Sequence, residues 1–297
     1  MINALWSRLG RSAAILILMS IPLAAHAAPK AAESASSNRE KPGLELVKEW
    51  DFGSGSRNSP ALLDDFHTLY AFNNGKQDYL PGTGEWQRYR LNHNHVLEDG
   101  ALKLVARPVN GWSSGGFESG MIRSKLSQRY GYFEVSVKMP KGRGLWPSIT
   151  LQPADAIWPP SIVVAATVGN RPDELRTSYH LLAGKPVGPD RDSKVDQWGG
   201  YENSADLTQG YHVFAVDWTP EGVTHYVDGV AVVKRSFAWT HEDGSDAGPA
   251  QLVISLAVGG DWAGPPMDSA NFPAAMAIKY IRIYRHVPSR IAELPPK

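Results

Sequence analysis

The chain contains no cysteine, so disulfide staples and thiolate metal sites are both excluded. It has no net charge either. Lys+Arg and Asp+Glu number 30 each, which leaves no field to draw in nucleic acid or an acidic membrane surface. Long apolar runs are equally scarce. The clearest spans residues 13–25, too short to cross a bilayer comfortably. No stretch from Leu44 onward holds a helical period. What the chain does have is 42% hydrophobic residues over 297 positions, enough for one substantial core, together with ten Trp and eleven Tyr.

The N-terminus indicates the compartment. Arg8 and Arg11 precede the apolar run, and Ala25-His26-Ala27 puts small residues at the two positions a signal peptidase reads. The expected organisation is a signal peptide at 1–27, a leader at 28–43, one domain at 44–286 and a tail at 287–297. The leader is polar, rich in Ala, Ser and Lys, and lacks apolar periodicity, as a disordered segment would. An uncleaved membrane anchor is the alternative. The expected location is periplasmic or secreted, with no transmembrane segment after cleavage.

Short β-branched and aromatic runs separated by Gly, Pro, Asn and Asp fill the rest. Phe133, Val135, Val137 and Met139 alternate with Glu134, Ser136 and Lys138, which predicts a strand with one buried and one wet face. Asp228-Gly229 between residues 223–227 and 230–234 suits a type I′ hairpin turn, making Asp228 a turn residue and not an acid catalyst. Further strands are expected at 102–107, 121–125, 145–151, 161–168, 177–182, 211–218, 252–258 and 277–284. The fold class expected is all-β, a jelly-roll sandwich of two antiparallel sheets.

Specific blocks then resemble a known family. Tyr130-Gly131-Tyr132-Phe133-Glu134, Lys138-Met139-Pro140-Lys141-Gly142 and Gly144-Leu145-Trp146-Pro147 are similar to glycoside hydrolase family 16, which includes laminarinases, lichenases and agarases. The resemblance continues through Asp217-Trp218-Thr219-Pro220, Tyr226-Val227-Asp228-Gly229, Gly259-Gly260-Asp261-Trp262 and Tyr280-Ile281-Arg282-Ile283-Tyr284. It implies a concanavalin-like jelly roll with a cleft across the concave sheet.

Retaining glycoside hydrolysis requires two carboxyl groups about 5–5.5 Å apart, one as nucleophile and one as acid/base. The family carries them on one strand as Glu-x-Asp-x-(x)-Glu. In the six-residue form a bulge must restore the parity of the last Glu, since five unbulged steps would point it to the other face. Alignment on Trp158-Pro159-Pro160 and Val168-Gly169-Asn170 puts Ser161 at the nucleophile position, Val163 at the Asp and Ala166 at the acid/base. No side chain from Ser161 to Gly169 ionises. Ala166 cannot protonate a leaving oxygen, and Ser161 has no base on its strand. Carboxylates elsewhere, namely Glu118, Glu134, Asp155, Asp173, Glu174, Glu202 and Asp261, are the candidates for rescue; Asp173 and Glu174 read as loop residues.

A cleft without acids can still bind sugar. The resemblance implies that Trp146 and Trp158 lie near sugar subsites as stacking platforms, the alternative being packing under the sheet. His180 matches a cleft His, or is an interior hydrogen-bonder. Trp262 matches a loop at the cleft mouth, and Asn73 and Arg123 match polar positions that line it, or are surface hydrogen-bonders. Trp112 is a weaker candidate. Many family members bind Ca²⁺ through an Asp in the last strand, where this chain has Lys279, so no metal and no cofactor are expected. The function expected is an exported, non-hydrolytic binder of a β-linked polysaccharide or oligosaccharide. The alternatives are an endo-β-glycanase with unconventional carboxylates, or a scaffold module whose partners are envelope assembly proteins.

Overall fold

The computed structural model describes residues 40–53, 62–72, 75–79, 83–111, 113–181, 195–202, 205–236, 238–267 and 272–287. The expected signal, residues 28–39 of the expected leader and residues 288–297 of the expected tail lie outside these residues. Two large sheets face one another. One is ten-stranded, and its centre is the strand Gly131–Lys138 between His212–Thr219 and Ala274–His286. The other is seven-stranded and runs from Val195–Glu202 through Arg171–Leu181, Ser161–Val168, Leu145–Pro153, Ala250–Val258 and Met121–Gln128 to Phe66–His67. The described helices, Leu62–Asp65 and Gly260–Ala263, are single turns, too short to cross a membrane.

Alternation builds the core. Phe133, Val135, Val137, Phe214, Val216, Ile281 and Ile283 from one sheet meet Leu145, Ile149, Leu151, Leu252, Ile254 and Leu256 from the other. Asp228 and Gly229 both have positive φ, 48° and 82°, and close the hairpin between Gly222–Val227 and Val230–Arg235. The Asp228 carboxylate accepts from the Val213 amide at 2.7 Å and pairs with His212 at 2.8 Å, a turn role as expected.

Three expectations are corrected. Glu134 and Ser136 are buried, not wet. Tyr132, Tyr280 and Tyr284 crowd that outer face, and Arg282 and Lys41 draw in the Glu134 carboxylate at 3.4 and 2.9 Å. Asp173 and Glu174 belong to the strand Arg171–Leu181 and not to a loop. One pairing, Gln87–Tyr89 with Phe117–Ser119, is parallel within otherwise antiparallel sheets.

Candidate functional site

The strand Ser161–Val168 lies third in the seven-stranded sheet, with the bounds expected. Ile162, Val164 and Ala165 enter the core between the sheets, whereas Ser161, Val163 and Ala166 do not. The pairing explains the split. Ile149 faces Ala165 and Thr150 faces Val163, so Val164 has no opposite number. On the other side Val163 faces Ser178 and Ala166 faces Arg176, three steps against two. This is a β-bulge, and it puts residues 161, 163 and 166 on one face. The parity a six-residue catalytic spacing needs is present, and no carboxyl group occupies it. The three side chains are tucked in, with residue exposures of 3%, 5% and 2%.

A bulge turns a backbone carbonyl away from its ladder, and a buried carbonyl needs a donor. His225, from the opposite sheet, donates its Nε2–H to the Val163 oxygen at 3.1 Å. Burial, with the Arg235 charge adding to it, lowers the His225 pKa to about 4 despite that bond. Nothing in the sequence pattern singled out His225, because its partner sits 62 positions away on another sheet.

Polar groups flank the strand on both sides. Ser148 faces Ala166, and its hydroxyl lies 2.9 Å from Ser255 Oγ. The Tyr70 hydroxyl donates to the same Ser255 oxygen at 3.1 Å. Burial, reinforced by the nearby Glu85 charge, pushes the Tyr70 phenol well up, so it stays neutral. Glu85 is itself buried and accepts from Gln87 Nε2 at 2.6 Å. On the other flank Arg176 faces Ala166, and Glu174, two residues away on the same face, is clasped by Arg176 and by Arg171 at 2.6 Å. Glu174 is therefore a carboxylate beside the acid-free strand, held in two ion pairs.

Several of the other candidate acids are engaged elsewhere. Glu118 lies 3.1 Å from His93, Glu134 belongs to the opposite sheet, and Asp155 caps a turn through Ile157 N at 3.0 Å and meets His241 at 2.9 Å. Asp173 is exposed, and Asp261 opens the short turn beside Thr83. The Glu202 side chain lies outside the described residues. No group of three metal-ligating side chains exists among the described residues.

Aromatic side chains mark both ends of the strand. Trp158 precedes Ser161, is 46% exposed, and its indole N–H points to the Ser161 hydroxyl at 3.4 Å. His241 steadies that segment through the Pro159 carbonyl at 3.0 Å. At the other end Trp146 is half-buried, and Trp262 meets it edge-on with ring centroids 5.3 Å apart. The positive φ of Gly259 and Gly260, 74° and 90°, delivers Trp262 there; a Cβ on Gly259 would strike the Trp86 ring at 2.6 Å. Arg123 is half-buried at the far side of the sheet and donates to Gln251 at 2.6 Å. His180 is register-paired with Ser161, but its side chain, like Asn73 and Trp112, lies outside the described residues.

Lys279 occupies the position in the last strand where the family resemblance implies a calcium-binding Asp. Its Cε would sit 3.8 Å from a Cβ on Gly53, and its ammonium lies 5.6 Å from the Tyr211 ring centroid. A fixed cation there does not fit Ca²⁺ binding. Millimolar Ca²⁺ is expected to leave the melting temperature unchanged to within about 1 °C, since only a ligand of the folded state raises it. A rise of several degrees in a thermal melt would contradict this.

With the sandwich and its bulged strand in view, comparison with known proteins gives a consistent class. The family profile described as "Glycosyl hydrolases family 16" matches residues 83–281, and the chain belongs to that family. It is 31% identical over 240 residues to a beta-glucanase of Rhodothermus marinus, covering 71% of this chain and 80% of that protein. Over 199 residues it is 31% identical to the endo-1,3-1,4-beta-glycanase EglC of Rhizobium meliloti, covering 63% of this chain but only 39% of EglC. The laminarinase structure from Rhodothermus marinus superposes with a TM-score of 0.64 at 27% identity, over 82% of this chain and 98% of that one.

Proposed function

We propose that this chain is an exported, non-hydrolytic binder of a β-linked glycan, a family 16 member in which the binding cleft outlived the chemistry. The observation that carries the reading is the bulged strand, with Ser161, Val163 and Ala166 turned to the face where a family member needs Glu, Asp and Glu. Trp158 and the Trp146–Trp262 pair, at opposite ends of that strand, are the stacking platforms. Ser148, Thr150 and Gln152, half-buried between them, supply hydroxyl and amide groups for sugar hydroxyls. The N-terminal signal pattern supports delivery to the periplasm or exterior.

Isothermal titration against β-1,3-, β-1,3-1,4- and β-1,4-glucans and β-galactans tests the reading. Saturable binding without release of reducing ends is expected for at least one of them. Trp158→Ala should weaken that binding roughly tenfold, about 1.4 kcal/mol, by removing an exposed ring. Binding to none of the polymers would sink the proposal.

The second reading is an active endo-β-glycanase, which the hydrolase names of the relatives favour. Glu174 is the described carboxylate best placed for it. Reducing-sugar release by the pure protein, abolished by Glu174→Gln, would establish that reading and overturn ours. The scaffold reading predicts instead an envelope protein recovered by crosslinking, with Trp146→Ala and Trp158→Ala without effect.

A further inference from the structure

At the edge of the seven-stranded sheet, beyond the strand Met121–Gln128, lies a cavity of about 210 Å³ lined by Leu63, Phe66, His67, Thr68, Leu69, Arg123 and Lys125. Arg123 and Lys125 are two residues apart on one strand and so project from one face, and the pairing of His67 with Arg123 brings the imidazole beside them. Arg123 faces Val253, which packs with Tyr70, Tyr89 and Met121 in a cluster apart from the main core. This is the face that carries Ser161, Val163 and Ala166. The cavity therefore opens on the same side as the proposed cleft, three strands from the central one, about 14 Å at ordinary strand spacing.

What fills the hydrogen-bonding capacity of these cations is neutral. Arg123 Nη1 donates to the Gln251 side-chain oxygen at 2.6 Å, its Nε reaches the Leu69 carbonyl at 3.4 Å, and Lys125 Nζ donates to the Leu63 carbonyl at 2.6 Å. The acids on the neighbouring turn, Asp64 and Asp65, do not line the cavity, and Asp65 is drawn away to Lys48 at 3.1 Å. A guanidinium that is half-buried among carbonyls has given up water without gaining a counter-charge from the described residues. Burial accordingly lowers the Arg123 pKa, and no carboxylate among the described residues opposes that shift. The planar fork of Arg beside a flexible ammonium matches an oxyanion with two or three equivalent oxygens.

We infer that this cavity is a subsite for an anionic substituent, a carboxylate or a sulfate ester, carried by the glycan some sugar units away from the central strand. The inference rests on the glycan-binding reading and narrows it to acidic β-glycans. Apolar Leu63 and Leu69 at the rim would seat the carbon skeleton of the substituted sugar, and Gln251 would fix the guanidinium plane.

The test uses three polymers with one backbone: a β-1,3-glucan, the same glucan partly oxidised at C6 to glucuronate, and its sulfated form. Titration of the wild-type protein should give about tenfold tighter binding to one or both acidic forms than to the parent, and the tighter of the two identifies the anion. That margin should shrink as salt rises. Arg123→Gln, shown by thermal melting to be folded, should bring the ratio of acidic to neutral affinity near one, and Arg123→Lys should leave it intermediate. A wild-type ratio near one overturns the inference while leaving the glycan reading intact. An Arg123→Gln ratio equal to that of the wild type overturns it too, since Arg123 would then be a mere partner of Gln251. Binding to none of the three overturns this inference, and the glycan reading then stands or falls on the wider panel of glucans and galactans.

Discussion

The triple variant Ser161→Glu/Val163→Asp/Ala166→Glu is expected to hydrolyse a β-glucan that, on the reading proposed above, the parent protein binds without cleaving. The backbone it needs is already built. The bulge at Val164 turns all three positions to one face, and the Val163 carbonyl within it is pinned from the other sheet by His225. Acid–base assistance contributes about 10²–10⁴ in rate, and a carboxylate nucleophile opens a covalent path the parent lacks, so a gain of roughly 10³-fold or more in reducing-end release is expected. The single variants Ser161→Glu and Ala166→Glu should stay inactive, because each supplies half of a two-carboxylate mechanism. Restoration will cost stability. The three sites are nearly closed to water, and a buried carboxylate without partners costs several kcal/mol or takes up a proton instead. Arg176, opposite Ala166, offsets part of this, and its present hold on Glu174 would have to be shared. Anomeric configuration followed by NMR should show retention. A folded triple variant that binds glucan as the parent does, yet releases no reducing ends, would mean that the cleft has diverged beyond the loss of its acids.

Most of the architecture was legible because it is written locally. Alternating residues gave the strands and Asp228-Gly229 gave the hairpin, while the family's six-residue spacing, aligned on Ser161 to Ala166, implied a bulge, which is where the ladder slips. The central strand was located by its flanks, Trp158-Pro159-Pro160 and Val168-Gly169-Asn170, although none of its own side chains ionises. The misreadings have two physical causes, a covered face and a proline inside a strand. Alternation tells which residues share a face but not what covers that face. Glu134 was expected to meet water, yet Arg282, 148 positions away, and Lys41 close over it. Asp173 and Glu174 looked like loop because Pro172 precedes them, yet Pro172 lies second in the strand Arg171–Leu181, which pairs with the edge strand Val195–Glu202. Of the site, Trp146, Trp158, Trp262 and Arg123 lie on or beside the face that holds the vacated positions. The Ser148–Ser255–Tyr70 run had no signal, since serines and a tyrosine scattered over three segments carry no spacing rule.

His225 carries the second large expectation, that the protein loses stability as pH falls from about 6.5 towards 4. In the unfolded chain a histidine takes up its proton near 6.5, whereas in the folded protein His225 does so only near 4. Between those values the unfolded state binds more protons, so the stability present above 6.5 declines as the pH is lowered. One pKa unit corresponds to about 1.4 kcal/mol, so the full window is worth roughly 3 kcal/mol. The structural reason is specific. Nε2–H is committed to the Val163 carbonyl, and Nδ1 is buried with no hydrogen-bond partner among the described residues, so a second proton would bring a charge and an unmet donor into the interior. His95, also lowered by burial, adds to the decline in the same direction. Replacement by Gln isolates the His225 share, because an amide can still donate to Val163 but does not titrate. Chemical denaturation at pH 7.5, 6, 5 and 4.5 should show the His225→Gln protein losing distinctly less stability across the series than the parent, even if it starts lower. Parallel curves would show that His225 does not set the acid limit. If the curves diverge as expected, glycan affinity of the parent should weaken over the same range, because the carbonyl that His225 holds belongs to the bulge beneath the proposed binding face.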